Sequence, residues 1–534
     1  MAFIDVSGLT YRLPGRQSLF DDVSFRVGDS QHVGLVGANG TGKTTLLRLI
    51  AGRERAQSGH IRTDGRVGYM RQFIGMLGHD TSVRDLFVEL SPDPIRRAAA
   101  ALAEAEKRAG GSADESAHLR YADSLAAWGE IGGFEMEVLW DTCSSGALGR
   151  RLEEVAERPL HSLSGGEQKK LAIEYLVRSD AQVLLLDEPD NFLDIPGKRW
   201  LEEVIKQSRK TILFVSHDRA LLAECAARVV TLEANGAWTH VGSYSTYHQA
   251  RDRRIDRIEE EQRRYKEEHR RLVALMKEYK RKASYNSDWA TRASSMEKRL
   301  EKYERDMSPP ERPKQQDIHM RLRGGRTGKI AFRARRLAIP GIVQPFDTEL
   351  WYGERVGVVG PNGSGKSHFL KLLGGWDIAH TGEWKLGARV TASLFSQTHD
   401  HPELSNVSLI DIMAGAGLRL GEAMAGLKRY ELQVVARLPF SLLSGGQQAR
   451  FQILMLELEG PTMLLLDEPT DNLDVDSAEA LEHGLDGYEG TVVAVTHDRW
   501  FMRLMDRFVV FNADGSVEER TESPYLIEGR QVAG

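Results

Sequence analysis

The chain has 534 residues and a net charge of −6, and at roughly 100 to 200 residues per domain it is too long for one core. With 41% hydrophobic and 28% charged residues it reads as a soluble globular protein, not a disordered or fibrous one, and its two cysteines, Cys143 and Cys225, lie far apart, which excludes a disulfide framework or a cysteine-rich zinc site and suits a reducing compartment. No apolar run reaches the roughly 18 residues of a membrane span and no signal peptide is evident, while residues 250–336 hold 27 Lys and Arg against 15 Asp and Glu, a local +12 against −18 elsewhere.

In chain order, the apolar segment His32–Val36 reads as a strand, and Gly37-Ala-Asn39-Gly40-Thr-Gly42-Lys43-Thr44-Thr45 follows it, opening a leucine-rich helical run. This is a complete P-loop in its strand, loop and helix context. Its glycines let successive backbone N–H groups curl around phosphate, Lys43 supplies a fixed charge near the β and γ phosphates, and Thr44 is placed to ligate Mg²⁺. From Gln72 to Ser164 there are 92 residues. Within them Pro94 to Arg108 and Ser112 to Leu139 predict two helices broken at Gly110-Gly111, a helical arm of about 94–140 with polar faces too extensive for a core. Leu163-Ser164-Gly165-Gly166-Glu-Gln168 then opens a further helix, Val183-Leu-Leu-Leu-Asp187-Glu188 is a buried-strand pattern ending in two carboxylates, and His217 follows Phe214-Val-Ser.

The next segment carries the positive charge. Ile255, Ile258, Gln262, Tyr265, His269, Leu272, Met276 and Tyr279 recur at steps of three and four, as do Trp289, Ala293, Met296, Leu300, Tyr303 and Met307. These are two heptad seams. Around a turn at Ser284–Asp288 they predict an antiparallel hairpin of roughly 30 residues a side, about 45 Å long. Lys280, Arg281, Lys282, Tyr285 and Arg292 cluster at its tip, a basic patch with an aromatic that suits a nucleic-acid backbone, RNA with shape rather than duplex DNA.

The second half repeats the first. Gly360-Pro-Asn362-Gly363-Ser-Gly365-Lys366-Ser367-His368 is another P-loop, with Ser367 in the place of Thr44, and Ser444-Gly445-Gly446, Asp467-Glu468 and His497 each lie 280 residues after Ser164, Asp187-Glu188 and His217. From Gln397 to Ser444 there are only 47 residues, so the arm belongs to the first half alone.

These residues resemble the ATP-binding-cassette ATPases, and two fused cassettes with an inserted arm, a basic helical linker and no membrane domain resemble the ABC-F family of ribosome-associated members. The resemblance implies an α/β fold of two P-loop ABC ATPase domains in tandem, at 1–247 and 326–534, joined by the hairpin at 248–325. It implies that Tyr11 stacks on adenine, and that Ser164-Gly165-Gly166 closes the ATP site at Lys366 while Ser444-Gly445-Gly446 closes that at Lys43. The two cassettes would then pair within a single monomer. Thr44, Gln72 and Asp187, or Ser367, Gln397 and Asp467, would hold Mg²⁺; Glu188 and Glu468 would polarise water; His217 and His497 would contact the γ-phosphate region. The implied partners are the ribosome and tRNA at its exit site, in the cytoplasm, with ATP turnover acting on translation or on protection from an antibiotic. The short turn of the linker points, by the same resemblance, to a general translation role. The sequence departs from the family at Asp190-Asn-Phe192, at Thr470-Asp471-Asn472 and at His368. The alternative is the ATP-hydrolysing subunit of a membrane transporter, which fractionation with membranes rather than ribosomes would reveal.

Overall fold

The structure, a computed structural model, describes residues 2–13, 18–72, 81–110, 115–233, 235–285, 288–307, 316, 318–396 and 404–525. The first cassette begins with β1 (Phe3–Arg12), β2 (Ser18–Val27), β3 (His32–Val36), α1 (Lys43–Ile50), β4 (Ser58–Asp64) and β5 (Val67–Met70). Helices α2 (Val83–Leu90), α3 (Asp93–Gly110), α4 (Glu115–Glu130), α5 (Gly133–Leu148), α6 (Leu152–Val155) and α7 (Gly165–Arg178) follow, and β6 (Val183–Asp187), α8 (Ile195–Gln207), β7 (Thr211–Val215), α9 (Arg219–Cys225), β8 (Arg228–Glu233) and β9 (Gly236–Val241) complete it. The six-stranded sheet runs β5-β6-β7-β3-β8-β9, parallel except for β9, and β2-β1-β4 form a separate antiparallel sheet.

Strand β6 shows why this layering forms. All five of its residues are buried, as expected of a parallel strand covered on both faces. Val183 and Leu185 face α1 and the small sheet, beside Leu46, Leu47, Ile4 and Val23. Leu184 and Leu186 face the helical layer, beside Leu171, Tyr175 and Leu201. The period of two thus delivers Asp187 to the strand's carboxyl end, where it meets the P-loop.

The insertion differs from its prediction. Its second stretch is two helices, α4 and α5, interrupted at Gly132, whose φ of 82° puts it in the left-handed region that glycine adopts without strain. Only α3 and α4 pair as an arm; α5 turns back to pack on α7. Two tryptophans anchor that return: Trp128 and Trp140 are buried with ring centroids 6.1 Å apart, and Trp140 stacks on Phe87. A side chain at Gly133 would fall 2.1 Å from the Trp128 ring, so the glycine makes room for the indole. The polar pattern concealed this because just two large residues supply the burial.

Helices α10 (Tyr247–Ala283) and α11 (Asp288–Asp306) form the predicted antiparallel hairpin, but unequally. At 1.5 Å per residue α10 is about 55 Å long and α11 about 28 Å. The paired portion runs outward from Tyr265, which stacks on Tyr303 at 5.2 Å, through the His269–Glu304 contact at 2.8 Å and the Lys280–Glu297 bridge at 2.6 Å to Tyr279 against Trp289. The first turns of α10 are spent on the cassettes: Arg251 makes two hydrogen bonds to Asp476, at 2.7 and 3.0 Å, and Arg254 bonds Glu233.

The second cassette has the same layers: β10 (Ile330–Ile339), β11 (Val343–Trp351), β12 (Arg355–Val359), α12 (Lys366–Leu373), β13 (Thr381–Leu386), β14 (Ala392–Phe395), α13 (Leu409–Gly415), α14 (Leu420–Arg429), α15 (Gly445–Glu459), β15 (Met463–Asp467), α16 (Val475–Asp486), β16 (Thr491–Val495), β17 (Arg507–Phe511) and β18 (Val517–Arg520). Its sheets run β14-β15-β16-β12-β17-β18 and β11-β10-β13. Position for position these repeat the first pair, so the duplication extends to topology.

Candidate functional site

Both P-loops hold their glycines at positive φ: Gly37, Gly40 and Gly42 at 154°, 83° and 94°, and Gly360, Gly363 and Gly365 at 151°, 79° and 96°. A Cβ on Gly360 would sit 2.1 Å from the Phe511 carbonyl oxygen, so that turn admits no side chain. Lys43 Nζ donates to the Gly37 and Ala38 carbonyls at 2.8 and 3.1 Å, and Lys366 Nζ to those of Gly360 and Pro361 at 2.9 and 2.8 Å. Burial lowers the pKa of both ammoniums. Each P-loop therefore holds its buried ammonium on its own carbonyl oxygens at the N-terminus of α1 or α12, where helix N–H groups and the lysine together favour an anion. Thr45 lies half-buried on α1, and its counterpart His368 is exposed.

Asp187 accepts from Thr44 Oγ1 at 3.2 Å. Burial, with Glu188 beside it, pushes its carboxyl up to about 6. Its Oδ2, like Asp467 Oδ1 in the second cassette, is buried without a hydrogen-bond partner; burial raises Asp467 too, against a hydrogen bond from Ser367. Glu188 and Glu468 follow with φ of 50° and 48°, a conformation costing about 1–3 kcal/mol in a non-glycine residue. Each is pinned there by its N–H, which donates to the carbonyl of Val215 or Val495.

The two carboxylates are held differently. Glu188 Oε2 accepts from Gln72 Nε2 and Asn191 Nδ2, both at 2.6 Å. Gln72, expected at the metal, thus addresses the glutamate, because its amide N–H is a donor and the glutamate is the acceptor within reach. Gln397 lies outside the described residues. Glu468 accepts from the backbone N–H of His497 at 2.9 Å, with the His497 ring 3.5 Å away. Burial and the neighbouring Asp471, which replaces Asn191 in the repeat, raise the Glu468 carboxyl above its ordinary range. Burial and Lys43 lower His217 to about 4, and burial with Lys366 and Lys198 carries His497 well below its ordinary range. Both rings are neutral near pH 7.

The signatures face the opposite P-loops. Ser164 caps α7 by accepting from the Glu167 N–H while Glu167 reaches back, and Ser444 and Gln447 do the same for α15. Ser164, Gly165 and Gly166 share a cavity of about 360 Å³ with Asn362, Gly363, Lys366, Ser367, His368, Asp467, Glu468 and His497. Asn362 Nδ2 donates across it to the Phe192 carbonyl at 3.2 Å. On the other side the Asn39 N–H donates to Asp474 at 2.8 Å and its amide to the Asn472 carbonyl at 3.1 Å, and Gly446 lies directly against Asn39, beside Gly445 on Asn472. Two composite sites thus form head to tail within one chain.

Two ion pairs brace this interface that the motif reading missed: Arg219 with Glu482, at 3.0 Å through Nη1, and Arg499 with Glu202. Corresponding members of the two pairs, Arg219 and Arg499 and Glu202 and Glu482, lie 280 residues apart, so the repeat offset relates one pair to the other although neither pairing is legible in it. Phe192, where the family carries histidine, is half-exposed at φ 66° and packs its ring and carbonyl on Gly165 and Gly166.

Tyr11 lies opposite Phe20, which contacts the Gly42 position, while Ile339 lies opposite Val343, which contacts the Gly365 position. The registers make Ile339 the equivalent of Tyr11. The Tyr11 hydroxyl donates to Glu54 at 2.9 Å, and Phe332 is buried against Phe369 and Trp384, leaving it unable to substitute in the second cassette. Aromatic stacking contributes about 0.5–1.5 kcal/mol beyond area burial. Tyr11→Ala is therefore expected to weaken nucleotide at the first site several-fold, toward the affinity of the second. Titration of Lys43→Ala and Lys366→Ala proteins isolates each site, and equal affinities would remove the stacking role.

At the linker tip Tyr285 is 88% exposed. Lys280 and Lys282 pair with Glu297 and Glu278, each at 2.6 Å, while Lys282 and Arg292 also lie over the Trp289 ring, 4.8 and 4.7 Å from its centroid. Arg281 is exposed. Trp289 fills its seam position against Tyr279, and lying between two cations it also forms part of the tip surface.

Comparison with known proteins agrees with this geometry. Residues 20–191 and 343–471 match a family described as ABC transporter, and residues 230–320 match a second family of the same description. An "Antibiotic resistance protein" of Mycobacteroides abscessus is 48% identical over 98% of this chain and 100% of its own length. "ABC transporter F family member 5" of Arabidopsis thaliana is 30% identical over 94% of this chain and 74% of its own. "Energy-dependent translational throttle protein EttA" of Mycobacterium tuberculosis is 28% identical, over 95% and 91%.

Proposed function

Since this chain belongs to the ABC-F family of ATP-binding-cassette ATPases and hydrolyses ATP, we propose that it binds the ribosome in the cytoplasm and couples cassette closure to protection of translation from an antibiotic. One observation carries the ribosome reading: the hairpin between the cassettes, whose composite ATP sites are both internal to the chain, ends in an exposed tyrosine among basic side chains. Among the described residues no helix is long and apolar enough to cross a membrane. The 48% relative named for antibiotic resistance favours protection over the general throttle at 28%. That full-length difference outweighs the short linker turn, which pointed the other way.

The chemistry follows from the two composite sites. Asp187 Oδ2 and Asp467 Oδ1, buried without partners beside Thr44 and Ser367, make hard oxygen donor sets that fit Mg²⁺. A bound Mg²⁺ would neutralise charge on the β and γ phosphates. Lys43 and Lys366 hold those phosphates, Glu188 and Glu468 orient water and take its proton, and neutral His217 and His497 donate toward the γ-phosphate. The signature of the opposite cassette completes each site, so hydrolysis requires the closed pair and phosphate release opens it. The two domains at 1–247 and 326–534 would then move against each other and carry the linker at 248–325 with them.

Sedimentation with ribosomes tests the reading. Protein with ATP should travel with ribosomes, and its absence from the host should lower the inhibitory concentration of one ribosome-targeting drug; recovery with membranes instead would favour the transporter alternative. Lys280→Ala, Arg281→Ala and Lys282→Ala together should weaken this association and flatten its salt dependence by up to about three phosphate contacts, leaving intrinsic ATPase intact. An unchanged profile across a salt series would remove the hairpin from the contact surface.

A further inference from the structure

The second ATP site contains a buried cation with no counterpart in the first. Lys198, in the first turn of α8, is 7% exposed. Its ammonium lies 3.0 Å from Asp218 Oδ2 and donates across the interface to the His497 carbonyl at 3.3 Å. It lines the same cavity as Asn362, Lys366, Glu468 and His497, together with the buried Asp190. Adding 280 to 198 and to 190 gives Ala478 and Thr470, so this acid and this base occur together in the first cassette and are both missing from the second.

A buried ammonium is tolerated only where its partners are fixed, and these are. Asp218 caps α9, its Oδ1 accepting from the Ala220 and Leu221 N–H groups at 2.9 and 3.0 Å, and Arg499 approaches the same oxygen at 3.9 Å. With Asp218 immobile, Lys198 presents a second of its three donors to His497 from a defined point. The same residue, His497, donates its backbone N–H to Glu468. The path Lys198, His497, Glu468 therefore runs from one cassette into the water-activating carboxylate of the other. In the first site Glu188 is held by Gln72 and Asn191, both from its own cassette.

We propose that Lys198 is a positioning residue supplied in trans by the first cassette, which orients His497 and through it Glu468, so that only the second ATP site depends on it. This rests on the assignment of Glu188 and Glu468 as the groups that activate water. Glu188→Gln leaves the second site as the working one, and Glu468→Gln leaves the first. In the Glu188→Gln background Lys198→Ala should lower kcat about tenfold with KM within about twofold, because a displaced carboxylate loses rate rather than binding. Lys198→Arg should restore most of the rate. In the Glu468→Gln background Lys198→Ala should leave kcat within about twofold of its parent.

Equal losses in both backgrounds, a change in KM alone, or no recovery with arginine would overturn the proposal. Should Lys198→Ala fail to fold with Asp190 and Asp218 left facing each other, Asp190→Thr with Lys198→Ala reproduces the pair already present in the second cassette and carries the same comparison. Failure of the underlying catalytic assignment would show separately, as turnover retained when Glu188 and Glu468 are both glutamine.

Discussion

Glu188→Gln combined with Glu468→Gln is expected to reduce ATP turnover at least about 100-fold while nucleotide still binds and the cassettes stay closed, since a positioned general base contributes about 10²- to 10⁴-fold. Glutamine keeps the size of the side chain and an oxygen that can accept from the His497 N–H, as Glu468 does at 2.9 Å. It loses the charge that draws a proton from water. Binding survives because the phosphate ring and its lysines, Lys43 and Lys366, are untouched. Closure then persists, because reopening follows hydrolysis. Phosphate release measured beside ribosome sedimentation checks both halves: the protein should accumulate on ribosomes with ATP and arrest translation. Turnover near the wild-type rate would show that these glutamates are not the bases.

Gly446→Val should abolish closure at the first site without unfolding the chain. The Cβ would lie 2.1 Å from Asn39 Nδ2 of the opposite cassette, filling the space from which that amide donates to the Asn472 carbonyl, and 2.9 Å from that carbonyl oxygen within its own cassette. Gly446 sits in the first turn of α15, where valine is no worse a helix former than glycine. Inside the cassette only the Asn472 loop must shift, whereas the Asn39 contact to the partner is lost. ATPase should fall at least about tenfold, since a composite site left open lacks half of its γ-phosphate donors. Distance measurements between labelled cassettes should show no ATP-driven approach. A variant that closes and turns over normally would contradict the head-to-tail arrangement, whereas a lowered melting temperature alone would not explain a loss of closure.

Much of this protein is legible in its sequence because the chemistry demands it locally. A phosphate ring needs glycines at set positions followed by lysine and a hydroxyl, and a strand buried on both faces must be continuously apolar up to the acid it delivers. Those requirements act over a few residues, and their repetition, the phosphate loop at an offset of 323 and the acid pair at 280, exposes the duplication. The heptad seams foretold the hairpin for the same reason, since a period of 3.5 marks a face wherever that face docks. What the pattern cannot state is the partner. Gly132 ends a helix inside an otherwise helical run, and Trp128 and Trp140 carry the core there, because two large side chains outweigh many polar ones. The contacts of Arg219 with Glu482, Gln72 with Glu188 and Lys198 with His497 join residues 263, 116 and 299 positions apart. Charge and reach in the sequence permit many such pairs; only tertiary packing, within a cassette for Gln72 and between cassettes for the other two, selects among them, since burial makes the paired arrangement favourable and every unpaired one costly.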